Sequence, residues 1–487
     1  MAATAVRGRS KLGGPREANG LIFASGSEPR SAGEEECGKE IGGWQQVALV
    51  GCVQSKQRQP PATIQLTVKS LLRRVQELAG FVIKKTRLVG AKRKRRIEVH
   101  LVADPRRKAR CSHCEQACPC YDTQPERRWH FVPLWNLPVE LVYAPRRVEC
   151  PQDGVVIEHL PWSAGKSPYT KAFMLFLARW ARRLSWKETA IIFGASWDAV
   201  HRSVEWVVAW GLAHRSLAGV SALGIDELHW GRGKKSANFL TLIYQIDLGT
   251  RRLLWIGRTR KEATLKQGFT FLENARTGFL QGIKVICSDM WKPYLKVIAT
   301  KTSGALNVLD PFHITQHLNM AVDAVRRGEQ GRLSRAGKVS VKRGRFLLLR
   351  RGTRVLGHAR ATLQAVLRSL RQTSRAWELK ESFRHFWTYR SETWAGAFLR
   401  EWTTRALRSR LKPMRKVALM MRSHHDLLLN YFRAKRLYNS AVVEGLNNKV
   451  RVTLSRSYGH RSFDVLQLVL YHNLGALPEP EFTHRFC

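Results

Sequence analysis

The chain has 487 residues, with 83 Lys and Arg against 37 Asp and Glu, for a formal net charge of +46. At roughly 100–200 residues per domain, this length predicts about three domains with a sizeable core, and the charge predicts a polyanionic partner, nucleic acid ahead of an anionic membrane. Spanning is excluded because no uncharged apolar run nears the ~18–20 residues a bilayer needs, the start MAATAVRGRSKLGG has no signal-peptide core, and nine cysteines are too few for a disulfide scaffold.

Residues 1–63 mix Gly, Ser, Glu and Arg without a sustained period and read as a disordered tail or upstream extension. From Ile64 the texture changes. In TVKSLLRRVQELAGFVI, Val68, Leu71, Leu72, Val75 and Leu78 recur at helical spacing. This helix opens a segment, 64–165, whose RRIEVHLVAD and VELVYAPRRVEC runs predict strands around a cysteine cluster. Cys111 and Cys114 form one CxxC knuckle; Cys150 begins a second, in which Asp153 holds the place of the last cysteine. Thiolates at this spacing bite one tetrahedral ion without strain, and a carboxylate can complete the set. Cys111, Cys114, Cys150 and Asp153 are therefore candidate Zn²⁺ ligands in a zinc-ribbon-like module, with Cys118, Cys120, His113 and His130 as substitutes. The competing expectation is a module folded on its strands with weakened or absent metal.

Residues 166–219 predict helices. YTKAFMLFLARWARRL is amphipathic, and WKETAIIFG followed by ASWDAVHRSVEWVVAWG has the cadence of a helix, a tight turn at 194–196 and a second helix. That is a helix-turn-helix layout, whose second helix enters the major groove. Trp197, Asp198, His201 and Arg202 would be its exposed groove-facing residues, with Trp197, His201 and Arg202 the candidate DNA contacts, over a small core of Ala190, Ile191, Val200, Val204 and Val207.

LGIDELHW, FLTLIYQIDL and RRLLWIG then predict three strands in an antiparallel meander. A helix over KEATLKQGFTFLENA, strand IKVICSD, a helix bearing Trp291, Tyr294, Leu295 and Ile298, strand ALNVLD and a helix from His313 follow. The order β-β-β-α-β-α-β-α predicts an α/β fold, an open mixed sheet with helices on its faces. Asp226 interrupts an apolar strand, where a carboxylate is costly unless paired or bound to metal. Asp289 ends the VICS strand, where ligands gather in open sheets. A third acid is needed to hold two divalent ions. Glu444, in NSAVVEGLNNKVRV, is the candidate, sharing one helix face with Asn447, Asn448 and Arg451 opposite a stripe of Val443, Leu446 and Val450. Glu227, adjacent to Asp226 in a strand, should point to the other face. Asp310 and His313 are candidate supporting residues, and Asn447, Asn448, Lys449 and Arg451 candidate contacts to DNA ends. Between these acids lies a basic helical stretch with Trp377, Trp387, Trp394 and Trp402, most of which should be core.

GIDELHW, VICSDMWKPY, LDPFHI and SAVVEGLNNKVR, in this order and spacing, resemble the DDE transposases of bacterial insertion sequences, specifically the ISL-three family. The resemblance runs from about Ile64 to Cys487. It implies a ribonuclease-H-like catalytic core over 220–324 and 439–475, interrupted by an all-helical insertion over 325–438 and followed by a tail, 476–487. It places the acidic triad on Asp226, Asp289 and Glu444, holding two Mg²⁺ or Mn²⁺ ions about 3.5–4 Å apart for strand cleavage and 3′-end transfer. The partners implied are DNA, as element ends and target, and further copies of the chain on paired ends, in the bacterial cytoplasm at the nucleoid and without a membrane. CPQD in place of a second CxxC departs from the family pattern. The alternatives are a non-catalytic DNA-binding regulator derived from a transposase and a structure-specific nuclease without strand transfer.

Overall fold

The structure is a computed structural model that describes residues 67–75, 78–92, 94–230, 238–331, 344–438, 441–456 and 462–481. All of these belong to the unit Gln65–Cys487. The expected tail at 1–63, most of the GRGKKSAN linker and the basic run through 332–343 lie outside the described residues.

The first helix, α1 (Val68–Val75), is shorter than its apolar period predicts, because the Gly80 turn (φ +86°) ends that register and Phe81 starts a strand. Strands β1 (Phe81–Val89), β2 (Arg96–Ala103), β4 (Arg127–Leu134) and β5 (Leu137–Tyr143) form a sheet in the order β1-β2-β5-β4. A second sheet, β3-β6-β7, comprises Cys120–Thr123, Arg146–Cys150 and Gly154–Ile157. The VELVYAPRRVEC run is thus two strands in two sheets, broken at Ala144–Pro145. Between them, buried Glu158 accepts from the Tyr143 hydroxyl (2.6 Å), the Arg146 amide (2.8 Å) and the Arg146 guanidinium (3.0 and 2.6 Å). Phe81, Trp129, Tyr143 and Trp162 meet edge to face under the larger sheet.

Three helices follow: α2 (Lys171–Ala181), α3 (Trp186–Ile192) and α4 (Trp197–His214). Ser185 and Glu188 cap α3 reciprocally, Ser196 caps α4, and Gly194 (φ +62°) makes the turn between them. Ala190, Val200, Val204 and Val207 are buried as expected, but Ile191 is 70% exposed. A seven-residue helix has one narrow inward face, and Thr189 and Ala190 occupy it.

The largest sheet has the order β10-β9-β8-β11-β12: β8 is Ala222–His229, β9 Phe239–Gln245, β10 Arg252–Arg258, β11 Val285–Ser288 and β12 Leu306–Leu309. The first three form the antiparallel meander; β8, β11 and β12 run parallel. Helix α5 (Glu262–Ala275) joins β10 to β11 and packs Leu265, Phe269 and Leu272 into the core; α6 (Lys292–Lys301) joins β11 to β12. The next helix, α7 (Pro311–Gln330), begins beside the sheet and continues into a separate helical core through Leu318, Ala321, Val322 and Val325. That core is completed by α8 (Gly357–Ser369), α9 (Arg371–Phe383), α10 (Glu392–Arg408), α11 (Lys412–Ser423) and α12 (His425–Arg433). Of its four tryptophans, Trp402 is buried, Trp377 and Trp387 pack at the edge, and Trp394 is exposed. Helix α12 covers the free edge of β12, where Asn430 donates to the Asn307 carbonyl at 2.9 Å. The chain then returns to the sheet through α13 (Ala441–Arg456) and α14 (Phe463–Leu474).

Candidate active site and metal centre

Strand register brings three acids into line. Cys287 of β11 pairs with Gly224 of β8, and Ser288 pairs with Leu309 of β12. Asp226, two residues past Gly224 and inside β8, therefore stands level with Asp289, and Asp289 with Asp310, the last two at the carboxyl ends of β11 and β12. A cavity of about 10 Å³, room for one water-sized sphere, is lined by Ile225, Asp226, Cys287, Ser288, Asp289, Asp310, His313 and Val443.

Local bonds aim these side chains. One oxygen of Asp226 accepts from the Glu227 amide at 2.7 Å and the other from Asn447 Nδ2 at 2.6 Å. Asp289 accepts from the Trp291 amide at 3.0 Å, and Asp310 caps α7 through the Phe312 amide at 2.6 Å. His313 Nδ1 forms an ion pair with Asp310 Oδ2 at 3.1 Å, off the straight line of a good hydrogen bond. Burial first, and the like charge of Asp289 after it, push the Asp226 carboxyl up to about 6. Glu227 is pushed up to about 7 by burial and then by Asp289; the nearby Tyr294 hydroxyl is engaged with Thr241 at 2.6 Å. His313 is also pushed up, to about 9, but toward its charged form, because Asp310, then Asp226 and Asp289, favour the imidazolium against burial. Carboxylates crowded together in a low-dielectric cleft repel one another, and a divalent cation relieves that repulsion. The donor set fits such an ion.

Helix α13 lies across β8. A Cβ on Gly224 would sit 2.5 Å from Val443 Cγ2, so glycine is what lets the helix approach. Val443, Leu446 and Val450 are buried as expected, but Asn447 joins them at 3% exposure instead of sharing the outer face with Glu444, Asn448 and Arg451. Its bonds to Asp226 and to the Tyr244 hydroxyl offset the cost of burying the amide. Glu444 is exposed, between cavity-lining Val443 and Asn447, and its carboxylate does not line the cavity. Asn448, Lys449 and Arg451 are exposed, with Arg451 donating to Asn448 at 2.7 Å. The roles of Tyr244 and Asn447 escaped sequence reasoning, although a tyrosine within FLTLIYQ implied a buried hydroxyl in need of a partner.

On the α3–α4 pair, Trp197 and Arg202 are exposed and His201 is half-buried. Trp197 and His201 stack at 5.4 Å, with Trp186 5.5 Å from each.

Cys111, Cys114, Cys150 and Asp153 converge in the N-terminal module, their ligand atoms all within 4.8 Å of one another. Asp153 Oδ2 lies 3.2 Å from Cys111 Sγ and 3.4 Å from Cys150 Sγ, and Cys114 Sγ lies 3.5 Å from Cys150 Sγ. Four donors around a tetrahedral ion with bonds of about 2.3 Å sit roughly 3.8 Å apart. The cluster has the composition and near the dimensions of a metal site. Cys118 Sγ donates to the Gln116 carbonyl while packing in the same buried cluster as Cys111 and Cys150, Cys120 Sγ donates to the Asp122 carbonyl, and the His130 ring lies 5.3 Å from that of Tyr169.

A sheet that brings carboxylates from adjacent parallel strands into one cleft offers the donors that a divalent cation takes in metal-dependent nucleases and related enzymes. The sequence model for the ISL3-type DDE transposases, described as "Transposase", matches residues 223–470, and the chain belongs to that family. It is thereby a metal-dependent, DNA-cleaving transposase. It is 24% identical over 356 residues to the transposase for insertion sequence element IS1001 of Bordetella parapertussis, covering 72% of this chain and 85% of that protein. It is also 24% identical over 391 residues to the transposase for insertion sequence element IS1557 of Mycobacterium tuberculosis, covering 72% and 83%. The Drosophila P element transposase strand transfer complex aligns over 62% of this chain and 91% of that chain, at 11% identity and a TM-score of 0.35, a likeness too loose to bear on the site. Among the described residues, no helix is long and apolar enough to cross a membrane.

Proposed function

We propose that this chain binds the terminal inverted repeats of an insertion sequence, cuts DNA strands at the element ends and joins the freed 3′ ends to target DNA. The observation that carries the reading is the meeting of Asp226, within β8, and Asp289, at the end of the adjacent parallel strand β11, in one cavity that Val443 also lines. Asp226, Asp289 and Glu444 are the acids that would hold two Mg²⁺ or Mn²⁺ ions on a ribonuclease-H-like core. Such ions activate an attacking oxygen and stabilise a leaving one. The chain's own part is to fix the acids: the Glu227 amide and Asn447 hold Asp226, the Trp291 amide holds Asp289, and the charged His313 stays beside Asp310.

Other regions supply the grip on DNA. We assign Trp197, His201 and Arg202 of a helix-turn-helix domain (166–219) to the terminal repeat, and Asn448, Lys449 and Arg451 to the cleaved end, with Asn447 withdrawn inward. Cys111, Cys114, Cys150 and Asp153 would hold Zn²⁺ in the zinc-ribbon-like module (64–165). The helical insertion (325–438) interrupts the catalytic core (220–324 and 439–475). Paired ends imply a homo-oligomer, acting in the bacterial cytoplasm on nucleoid DNA.

The test uses intact and pre-nicked terminal-repeat duplexes, a plasmid target and Mg²⁺. Joined products are expected. Cleavage of intact ends without joining would leave a structure-specific nuclease, and binding with neither reaction would leave a DNA-binding regulator.

A further inference from the structure

Three side chains from three elements form a buried chain of hydrogen bonds that ends on Asp226. The Tyr244 hydroxyl, on β9, donates to Asn447 Oδ1 at 2.8 Å, and Asn447 Nδ2, on α13, donates to Asp226 Oδ2 at 2.6 Å. Tyr244 is fully buried and Asn447 nearly so. The direction of the chain is fixed by chemistry, since an ionised carboxylate only accepts, so the amide must turn its NH₂ to Asp226 and its oxygen to the phenol.

The placement of the amide is as informative as its bonds. Tyr244 pairs across the sheet with Gly224, the glycine against which Val443 seats. Helix α13 therefore meets the sheet at two points one turn apart: apolar contact of Val443 over Gly224, and the polar contact of Asn447 with Tyr244 and Asp226. A helix docked by apolar contact alone can roll by a fraction of a turn at little cost. Two directional bonds at i+4 stop that roll, and Glu444 lies on the same turn, so its bearing toward the cavity is set together with the orientation of Asp226. The amide also leaves lone pairs free on both Asp226 oxygens, since the Glu227 amide and Asn447 occupy one site on each.

We propose that Asn447, held by Tyr244, is a positioning residue for the active-site acids: it fixes the Asp226 carboxylate and registers the Glu444 helix against it, presetting the site for a divalent cation. This rests on the reading of Asp226 and Glu444 as metal-holding acids. Partners that orient metal ligands typically contribute about 10–100-fold in metal affinity or activity.

Full-length Asn447→Ala, Tyr244→Phe, the double variant and Asp226→Asn are compared with wild type. Mn²⁺ binding is read directly by titration, strand cleavage is followed against Mn²⁺ concentration, and affinity for an end duplex is measured in EDTA. Asn447→Ala is expected to raise the Mn²⁺ concentration for half-saturation about 10–100-fold with duplex affinity unchanged. Tyr244→Phe moves it the same way by a smaller factor, and adds nothing in the Asn447→Ala background, because both act through one bond chain. Should Asn447→Ala unfold, Tyr244→Phe, which deletes one hydroxyl, still carries the test. Wild-type Mn²⁺ dependence in either folded single variant, or additive effects in the double, would overturn the proposal. Failure of the underlying reading looks different: Asp226→Asn would then retain Mn²⁺ binding and cleavage.

Discussion

Asp226 and His313 hold opposite charge preferences within one small cavity, and each is explained by what surrounds it. Burial and a like-charged neighbour hold the Asp226 carboxyl up near 6, while three acids hold the imidazolium of His313 up near 9. The sign of the second shift makes a prediction for the metal-free protein. A histidine whose folded value lies above its unfolded value of about 6.5 contributes stability that is fully present below that pH and lost as pH rises through about 9. In EDTA, wild type should melt higher than His313→Gln at pH 6, with the gap closing by about pH 10. A gap that stays constant across that range would remove the charged pair with Asp310. The pairing of Asp226 and Asp289 in one cavity was legible in sequence, because a lone carboxylate inside an apolar strand is expensive and one at a strand end sits where ligands gather. Asn447 was not: the helical period assigns faces by hydrophobicity, and an amide satisfied by two buried partners reads as outward-facing.

Among the elements, the contact of α13 with β8 matters most, because it brings the turn bearing Glu444 to the strand bearing Asp226. Gly224→Ala would place a methyl 2.5 Å from Val443 Cγ2 and 3.1 Å from Ile246 Cγ2. Overpacking of this kind costs about 1–3 kcal/mol, and here the strain falls on the joint between two site elements. Cleavage is expected to drop at least tenfold (about 1.4 kcal/mol) while duplex binding persists; unchanged cleavage would mean that the joint tolerates slack. The two knuckles make a second prediction. The full-length protein should carry one zinc per chain by metal analysis, lose it in Cys114→Ser, and hold it longer against a chelator in Asp153→Cys, since thiolate suits zinc better than carboxylate. A metal-free wild type purified without chelators contradicts the site. The meander and the two β-α units followed from alternating apolar runs, and strand register then aligned the acids. The helix-turn-helix cadence at α3 and α4 was legible, but the exposure of Ile191 and the strand starting at Phe81 did not follow, because apolar spacing says where a face lies but not which of its members a neighbour covers or where a turn such as Gly80 cuts it.

Over the whole molecule, the surplus of +46 favours approach to DNA and says nothing of chemistry; in the proposed reading, three acids set in that field would carry the reaction. The helical core between α7 and α12 is not detached from the sheet. Helix α7 carries His313 at the cavity in its first turn and the insertion's apolar core in its later turns, and α12 closes the sheet edge. The family resemblance implied an insertion in the long span between Asp289 and Glu444, but the sharing of α7 between the sheet's core and the helical core depends on packing that no local pattern encodes. The most direct measurement is Mg²⁺-dependent cleavage of a terminal-repeat duplex by full-length Asp289→Asn beside wild type, with duplex affinity measured in parallel. Cleavage should fall to background with affinity unchanged. Cleavage retained at a rate near wild type would contradict the assignment of the catalytic centre to this cleft of the sheet.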